Sequence, residues 1–180
     1  ALARSINTVA IRLNMTYGPR KAAEAGYRLG IRSELRPDAT LALGTSEVTL
    51  MELSGAYGAL ATGGRMVEPH VIKRVKTGSG RVLYQRPPEK KKSVIALQHV
   101  GALNDMLNAV LVSGTGKRAA IASHPAGGKT GTTQDFRDAW FVGYTAHYVG
   151  GVWVGNDDRS PMNNVMGGGL PSKLWHEVMT

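Results

Sequence analysis

GGKTGTTQDFRDAWFVGYTAHYVGGVWVG, residues 127–155, packs three apolar, alternating stretches into one short run. They cover residues 127–132, 139–144 and 148–155, separated by connections of six and three residues. Connections that short exclude the crossover a parallel pair needs, so consecutive antiparallel strands are expected. Side chains alternate across a strand, which puts Trp140, Val142 and Tyr144 on one face of the sheet and Phe141 and Gly143 on the other. Trp140, Phe141, Val152 and Trp153 read as core side chains rather than a ligand platform.

Outward from the strands the periodicity turns helical. Residues 95–112 give the longest expected helix, with Val100, Leu103, Leu107, Val110 and Leu111 at helical spacing and Gly114 and Gly116 closing it. Thr49 and Glu52 form a T-x-x-E capping box before a helix whose buried face is Leu53, Ala56, Tyr57, Leu60 and Ala61. Gly63-Gly64 ends that helix by supplying left-handed backbone. Residues 3–13 read as a helix with Val9, Ala10 and Leu13 on one stripe, and Pro19 opens a second that reaches residue 29. Residues 30–46 read as a connecting loop around Arg36-Pro37-Asp38. Residues 71–76 and 81–85 pair as a hairpin closed by Thr77-Gly78-Ser79-Gly80, and 87–92 is a linker rich in Pro and Lys. A last helix over 171–179 follows Gly167-Gly168-Gly169. Helices first, then strands and a closing helix, predict an α+β layer fold with no internal repeat.

At 180 residues the chain suits one domain. The absence of cysteine removes disulfides and thiolate metal sites. Five histidines lack paired-ligand spacing, and Asp157-Asp158 reads as a turn, so neither metal nor cofactor is expected. The net charge is +9, of which residues 65–92 carry +7 through nine Lys/Arg against two acids. Such a stretch is a solvated basic hairpin or a patch for an anionic partner. With Tyr84 its one aromatic, it lacks the stacking platform of a nucleic-acid binder. No run of 18 apolar residues occurs. The opening ALARSINTVAIRL reads as the middle of a domain, so any membrane anchor is expected in chain outside this sequence.

The chemistry centres on Gly127-Gly128-Lys129-Thr130-Gly131-Thr132-Thr133. A phosphate-binding loop would need glycine where Ser123 stands, and Pro125 interrupts it. The alternative is the K-T-G strand of serine acyl-transferases acting on β-lactams and D-alanyl peptides. There the lysine offers charge to a substrate carboxylate, threonine hydroxyls add donors, and glycine lets substrate lie against the strand edge. Lys76-Thr77-Gly78 spells the same triplet, but turn chemistry accounts for it. The partner motif S-x-N, in which serine relays protons and asparagine holds the substrate amide, occurs once, as Ser5-Ile6-Asn7. A polar helix start is the other reading of that triplet.

Four blocks, ALARSINTVAIRL, LGTSEVTLMELSGAYGALATGG, GGKTGTTQDFRDAWFVGYT and GVWVGNDD, closely resemble the class A penicillin-binding proteins in order and spacing. The resemblance implies a transpeptidase domain of the penicillin-binding/β-lactamase-like fold, an antiparallel sheet flanked by helices, with residues 1–180 its C-terminal part. It implies roles for Ser5 and Asn7 in S-x-N and for Lys129, Thr130 and Gly131 in K-T-G. Thr132 matches the position whose N–H serves the oxyanion and whose hydroxyl helps bind carboxylate. The implied activity is serine-type D-alanyl-D-alanine transpeptidation, with peptidoglycan stem peptides as substrates and β-lactam antibiotics as their mimics. The implied setting is the periplasmic face of the inner membrane.

The chain departs from that pattern at one point. The nucleophile of the family lies in S-x-x-K, and none of the ten serines here has lysine three residues on. The chain is therefore expected to be inactive alone and to depend on the rest of a parent protein upstream. Two alternatives stay open: a D,D-carboxypeptidase or β-lactamase-like hydrolase with water as acceptor, and a non-catalytic module binding wall polymer through residues 65–92.

Overall fold

Strands β3 (Gly127–Thr132), β4 (Asp138–Tyr144) and β5 (Val149–Gly155) pair antiparallel in that order, in a computed structural model that describes residues 1–88 and 92–180. Gly131 faces Trp140, which faces Trp153, so the register follows from the short connections. Helices cover both sides. The position of a Cβ on Gly150 lies 2.9 Å from the Trp175 indole of α5 (Leu170–Met179), while that on adjacent Gly151 lies 2.5 Å from Ser54 of α3 (Leu50–Ala61). Consecutive residues of a strand point to opposite faces, so α3 and α5 sandwich the sheet. The expected alternation holds: Tyr144 meets Tyr57 of α3 edge-on at 6.3 Å, and Phe141 meets Trp175 at 5.1 Å.

The apolar centre lies on the Phe141 side. Val110 and Leu111 of α4 (Leu97–Val112) join Ala119, Ala126, Phe141 and Trp175 there, with Ile121, Val152 and Met179 against them. Trp153 departs from the core reading: it is 39% exposed, and its indole N–H donates to Asp138 at the sheet's end.

The capping box forms as read. Glu52 N–H donates to Thr49 Oγ1, and Glu52 Oε2 accepts from the Thr49 N–H. The same carboxylate accepts from Arg32 N–H, Ser33 N–H and Ser33 Oγ, pinning the loop to the start of α3. Of the expected face of α3, Ala56 is buried and Tyr57 packs on Tyr144, and burial extends further to Gly55, Gly58 and Ala59. Pro69 and Val67 of the following segment lie on Gly55 and Gly58, 2.9 and 3.1 Å from where side chains would begin. The helix can be covered that closely only because those positions are glycine.

The helix expected over residues 3–13 is broken. A 3-10 turn, Leu2–Arg4, ends at Ser5 in left-handed backbone (φ 51°), and α1 runs from Asn7 to Tyr17. Its Val9–Leu13 stripe faces out, and the buried residue is Asn14, whose amide donates to the carbonyls of Asp38 and Ala39. Those carbonyls belong to the 3-10 helix Ala39–Leu43, capped by Asp38, inside the expected loop. Helix α2 (Pro19–Arg28) starts at proline as read.

The hairpin strands β1 (Arg74–Lys76) and β2 (Val82–Gln85) are antiparallel, and every residue in them is exposed. Part of the Pro/Lys linker and of the basic stretch, residues 89–91, lies outside the described residues. Among the described residues no helix is long and apolar enough to cross a membrane.

The bonds from the Ser33 hydroxyl, then the Thr49 N–H, hold the Glu52 carboxyl at about 2, down from 4.5. A carboxyl lowered by folding stabilises fully above its unfolded value and loses that contribution as pH falls through the folded one. Glu52→Gln is expected to cost about 1–2 kcal/mol at neutral pH. Denaturant unfolding at about pH 7 and about pH 3 checks this, because the gap between variant and wild type should narrow on acidification.

Candidate active site

Ser5 owes its place to the turn before it. Ser5 N–H donates to Leu2 O, Ile6 N–H donates to Ala1 O, and Ile6 is extended before α1 begins. A serine in left-handed backbone costs about 1 kcal/mol or more, so other contacts must hold the turn. They come from the end of α4: Thr115 N–H donates to Ala3 O at 3.0 Å. Gly114 lies beneath, where a Cβ would stand 2.2 Å from that carbonyl.

β3 forms the opposite wall. Thr133 N–H donates to Asp138 O across the sheet. Because successive N–H groups alternate in direction, the N–H of Thr132 points away from β4, toward the free edge. The carbonyl of Thr130 faces the same edge and accepts from Lys129 Nζ at 3.0 Å. Lys129 Nζ also donates to Ser5 Oγ, joining two motifs 124 positions apart. Asn7, the first residue of α1, is exposed, and among the described residues its side chain bonds to none of the others in the site. Gly131 sits against Trp140, its Cβ position 3.3 Å from that residue's Cβ.

The Lys129 ammonium is half-buried, and burial pushes its pKa below 10.5. Its two partners are neutral oxygens. Both are acceptors for the charged form, yet neither supplies negative charge, which leaves the cation electrostatically unanswered at an open strand edge.

Two groups in the site were read from sequence only as helix punctuation. Thr115, between Gly114 and Gly116, shares a hydroxyl–hydroxyl bond of 2.6 Å with Thr130. Gly167 N–H donates to Thr132 Oγ1 at 3.0 Å, and Ser172 Oγ donates to Gly167 O from below. The signal was present as two glycine-flanked segments, 114–116 and 167–169, that nothing local required. The second K-T-G is a turn, as read: the Thr77 hydroxyl bonds to Ser79 Oγ and accepts from Arg81 N–H, and Gly80 has φ 87°. Two grooves lie elsewhere. One, of about 540 Å³, runs along Leu13, Tyr17, Lys21 and Leu35; the other, of about 610 Å³, sits at the hairpin base by His70, Lys73 and Arg74.

Comparison with known proteins converges on one family. Residues 2–166 match the penicillin binding protein transpeptidase domain. The chain is 39% identical over 180 residues to penicillin-binding protein 1A of Aquifex aeolicus, covering 99% of this chain and 24% of that protein. It therefore spans about a quarter of the length of that relative. The penicillin-binding protein PonA1 of Mycobacterium tuberculosis superposes with a TM-score of 0.91 at 26% identity, over 99% of this chain and 54% of that one. PonA1 in complex with penicillin V gives 0.81 at 26% identity, over 94% and 51%.

A buried lysine deprotonates earlier when folded than unfolded, so stability should rise with pH between the folded value and 10.5. NMR of the Lys129 ε-amine is expected to show a midpoint below 10.5, and Lys129→Met should remove both that signal and the alkaline gain in stability. A midpoint at or above the ordinary lysine value would contradict the burial.

Proposed function

Because the chain belongs to the penicillin binding protein transpeptidase domain family, we propose that it forms two walls of a serine-type D-alanyl-D-alanine transpeptidase site. The observation that carries this is the bond from Lys129 Nζ to Ser5 Oγ at the free edge of β3. It couples a proton-carrying hydroxyl to a cation where a strand edge offers an open N–H. Residues 1–180 are, in this reading, the C-terminal part of one transpeptidase domain, working on peptidoglycan stem peptides outside the cytoplasm.

The chemistry follows from the groups present. A serine supplied by an S-x-x-K segment attacks the carbonyl of the penultimate D-alanine of a stem peptide. Its proton passes to the lysine of that segment as the C–O bond forms, and the carbonyl oxygen takes up negative charge. The Thr132 N–H faces that oxygen. Lys129, with the hydroxyls of Thr130 and Thr132, holds the terminal carboxylate. Because Lys129 donates to Ser5 Oγ, the Ser5 proton is left to pass to the departing D-alanine nitrogen as the C–N bond breaks, and Ser5 Oγ takes in its place the proton that the S-x-x-K lysine removed from the nucleophile. Asn7 grips the substrate amide. An amine of a neighbouring strand then attacks the acyl-enzyme and releases the serine. A β-lactam enters the same way, its ring amide and carboxylate standing in for those of the peptide.

In a protein that carries an S-x-x-K segment ahead of this chain, Lys129→Ala should slow penicillin acylation by about 10²–10³-fold, the scale for losing one charge-stabilising group. Lys76→Ala should leave it within about twofold, as exposed positions away from the chemistry do. Equal losses at the two lysines would mean that the wrong triplet has been chosen. The chain alone, incubated with penicillin, should show no mass increase; a stoichiometric adduct on any of its own serines overturns the assignment of the nucleophile.

A further inference from the structure

Helix α4 is followed by Ser113-Gly114-Thr115-Gly116, and this short segment touches the Ser5 turn, β3 and the Gly167 loop. Thr115 N–H holds Ala3 O and with it the turn that carries Ser5. Thr115 O lies 2.3 Å from where a Cβ on Gly168 would stand, so the loop that delivers Gly167 N–H to Thr132 packs directly on it. The Thr115 hydroxyl reaches Thr130 at 2.6 Å. The backbone of Thr115 is thus fixed on two sides, independently of its side chain, and the hydroxyl has one partner.

We propose that Thr115 is a positioning residue: its hydroxyl donates to Thr130 Oγ1 and so turns the Thr130 proton toward the substrate carboxylate. This rests on the reading of Lys129 and Thr130 as the carboxylate site. Two hydroxyls joined by one hydrogen bond use one of their two protons. A carboxylate at the β3 edge accepts and cannot donate, so it draws the Thr130 proton. The lone pair of Thr130 is then available to a second donor, and Thr115 is the hydroxyl in place to fill it. The resulting chain, Thr115 to Thr130 to carboxylate, is polarised in one direction, and each bond strengthens the next. Thr115 is itself exposed, so water competes with the bond. Its effect lies in orienting Thr130 rather than in holding the fold.

The test uses a protein carrying this chain behind an S-x-x-K segment, with penicillin acylation resolved into the dissociation constant of the first complex and the acylation rate constant. Thr115→Val keeps the shape and the backbone bond to Ala3. It is expected to weaken the first complex with penicillin about five- to tenfold, the range for one hydrogen bond to a charged chain, while the rate constant moves less than about twofold. The methyl ester of the same penicillin, which lacks the carboxylate, should show no such difference. Thr115→Ser should restore binding, and in a Thr130→Val background the Thr115→Val effect should vanish. Thr115→Ala replaces the valine variant if valine disturbs the turn. An unchanged first complex, an equal loss with the ester, or failure of serine to restore overturns the role of Thr115. Lys129→Ala separates the two levels: if it acylates like wild type, the site reading itself fails, and if it is impaired while Thr115→Val is not, only this inference does.

Discussion

Everything in the structure depends on how closely Trp175 approaches the sheet. Its indole lies on β4 and β5 at Gly143 and Gly150, where a Cβ on either would stand 2.9 Å from the ring, and its N–H donates to Gly150 O at 3.0 Å. A tryptophan sealed to 1% exposure with its donor satisfied removes apolar area from water without leaving a polar group unpaired. Phe141 then packs on Trp175, and Val110 of α4 joins the same cluster. The end of α4 is thereby fixed relative to β3, and that distance decides whether Thr115 can reach both Ala3 and Thr130. A side chain at either glycine would lift the helix layer from the sheet and move β3 away from the turn that carries Ser5.

The parts of the fold legible in the sequence are those whose cause is local. Alternation over Trp140–Tyr144 with short connections suffices for an antiparallel meander, and Thr49 with Glu52 marks a helix start, because each feature acts within a few residues. The break of the first helix at Ser5 escaped the reading because nothing within residues 3–13 forbids a continuous helix. The break is imposed by Thr115, more than a hundred positions away, holding Ala3 O. The cover on α3 at Gly55 and Gly58 escaped the reading for a similar reason. Periodicity shows which side of a helix is apolar, but Val67 and Pro69 chose the small residues because only there could the chain lie so close.

The site divides the same way. Lys129 and Ser5 were legible as motif residues, and the structure brings them together. Which protein group each threonine hydroxyl meets was not legible, since its partner comes from 15 positions away for Thr130 and 35 for Thr132. Glycine-flanked Thr115 and Gly167 carried no chemical label of their own. Asn7 shows the converse: its type and spacing were legible, yet among the described residues its amide meets none of the others in the site.

The electrostatics of Lys129 run against stability. Burial works against its charge, and among the described residues no carboxylate pairs with it. A lysine buried for structure would be expected to gain an acid, because pairing offsets the cost of removing charge from water. Here the ammonium is bonded to a serine hydroxyl and a backbone carbonyl, which orient it and neutralise nothing. Any anion that reaches the β3 edge therefore meets a cation already held in place and already stripped of part of its water. Its arrival reverses the shift, since a nearby negative charge restores the charged form that burial disfavours. In the proposed site, the feature that costs the free protein stability is released as affinity when a carboxylate binds.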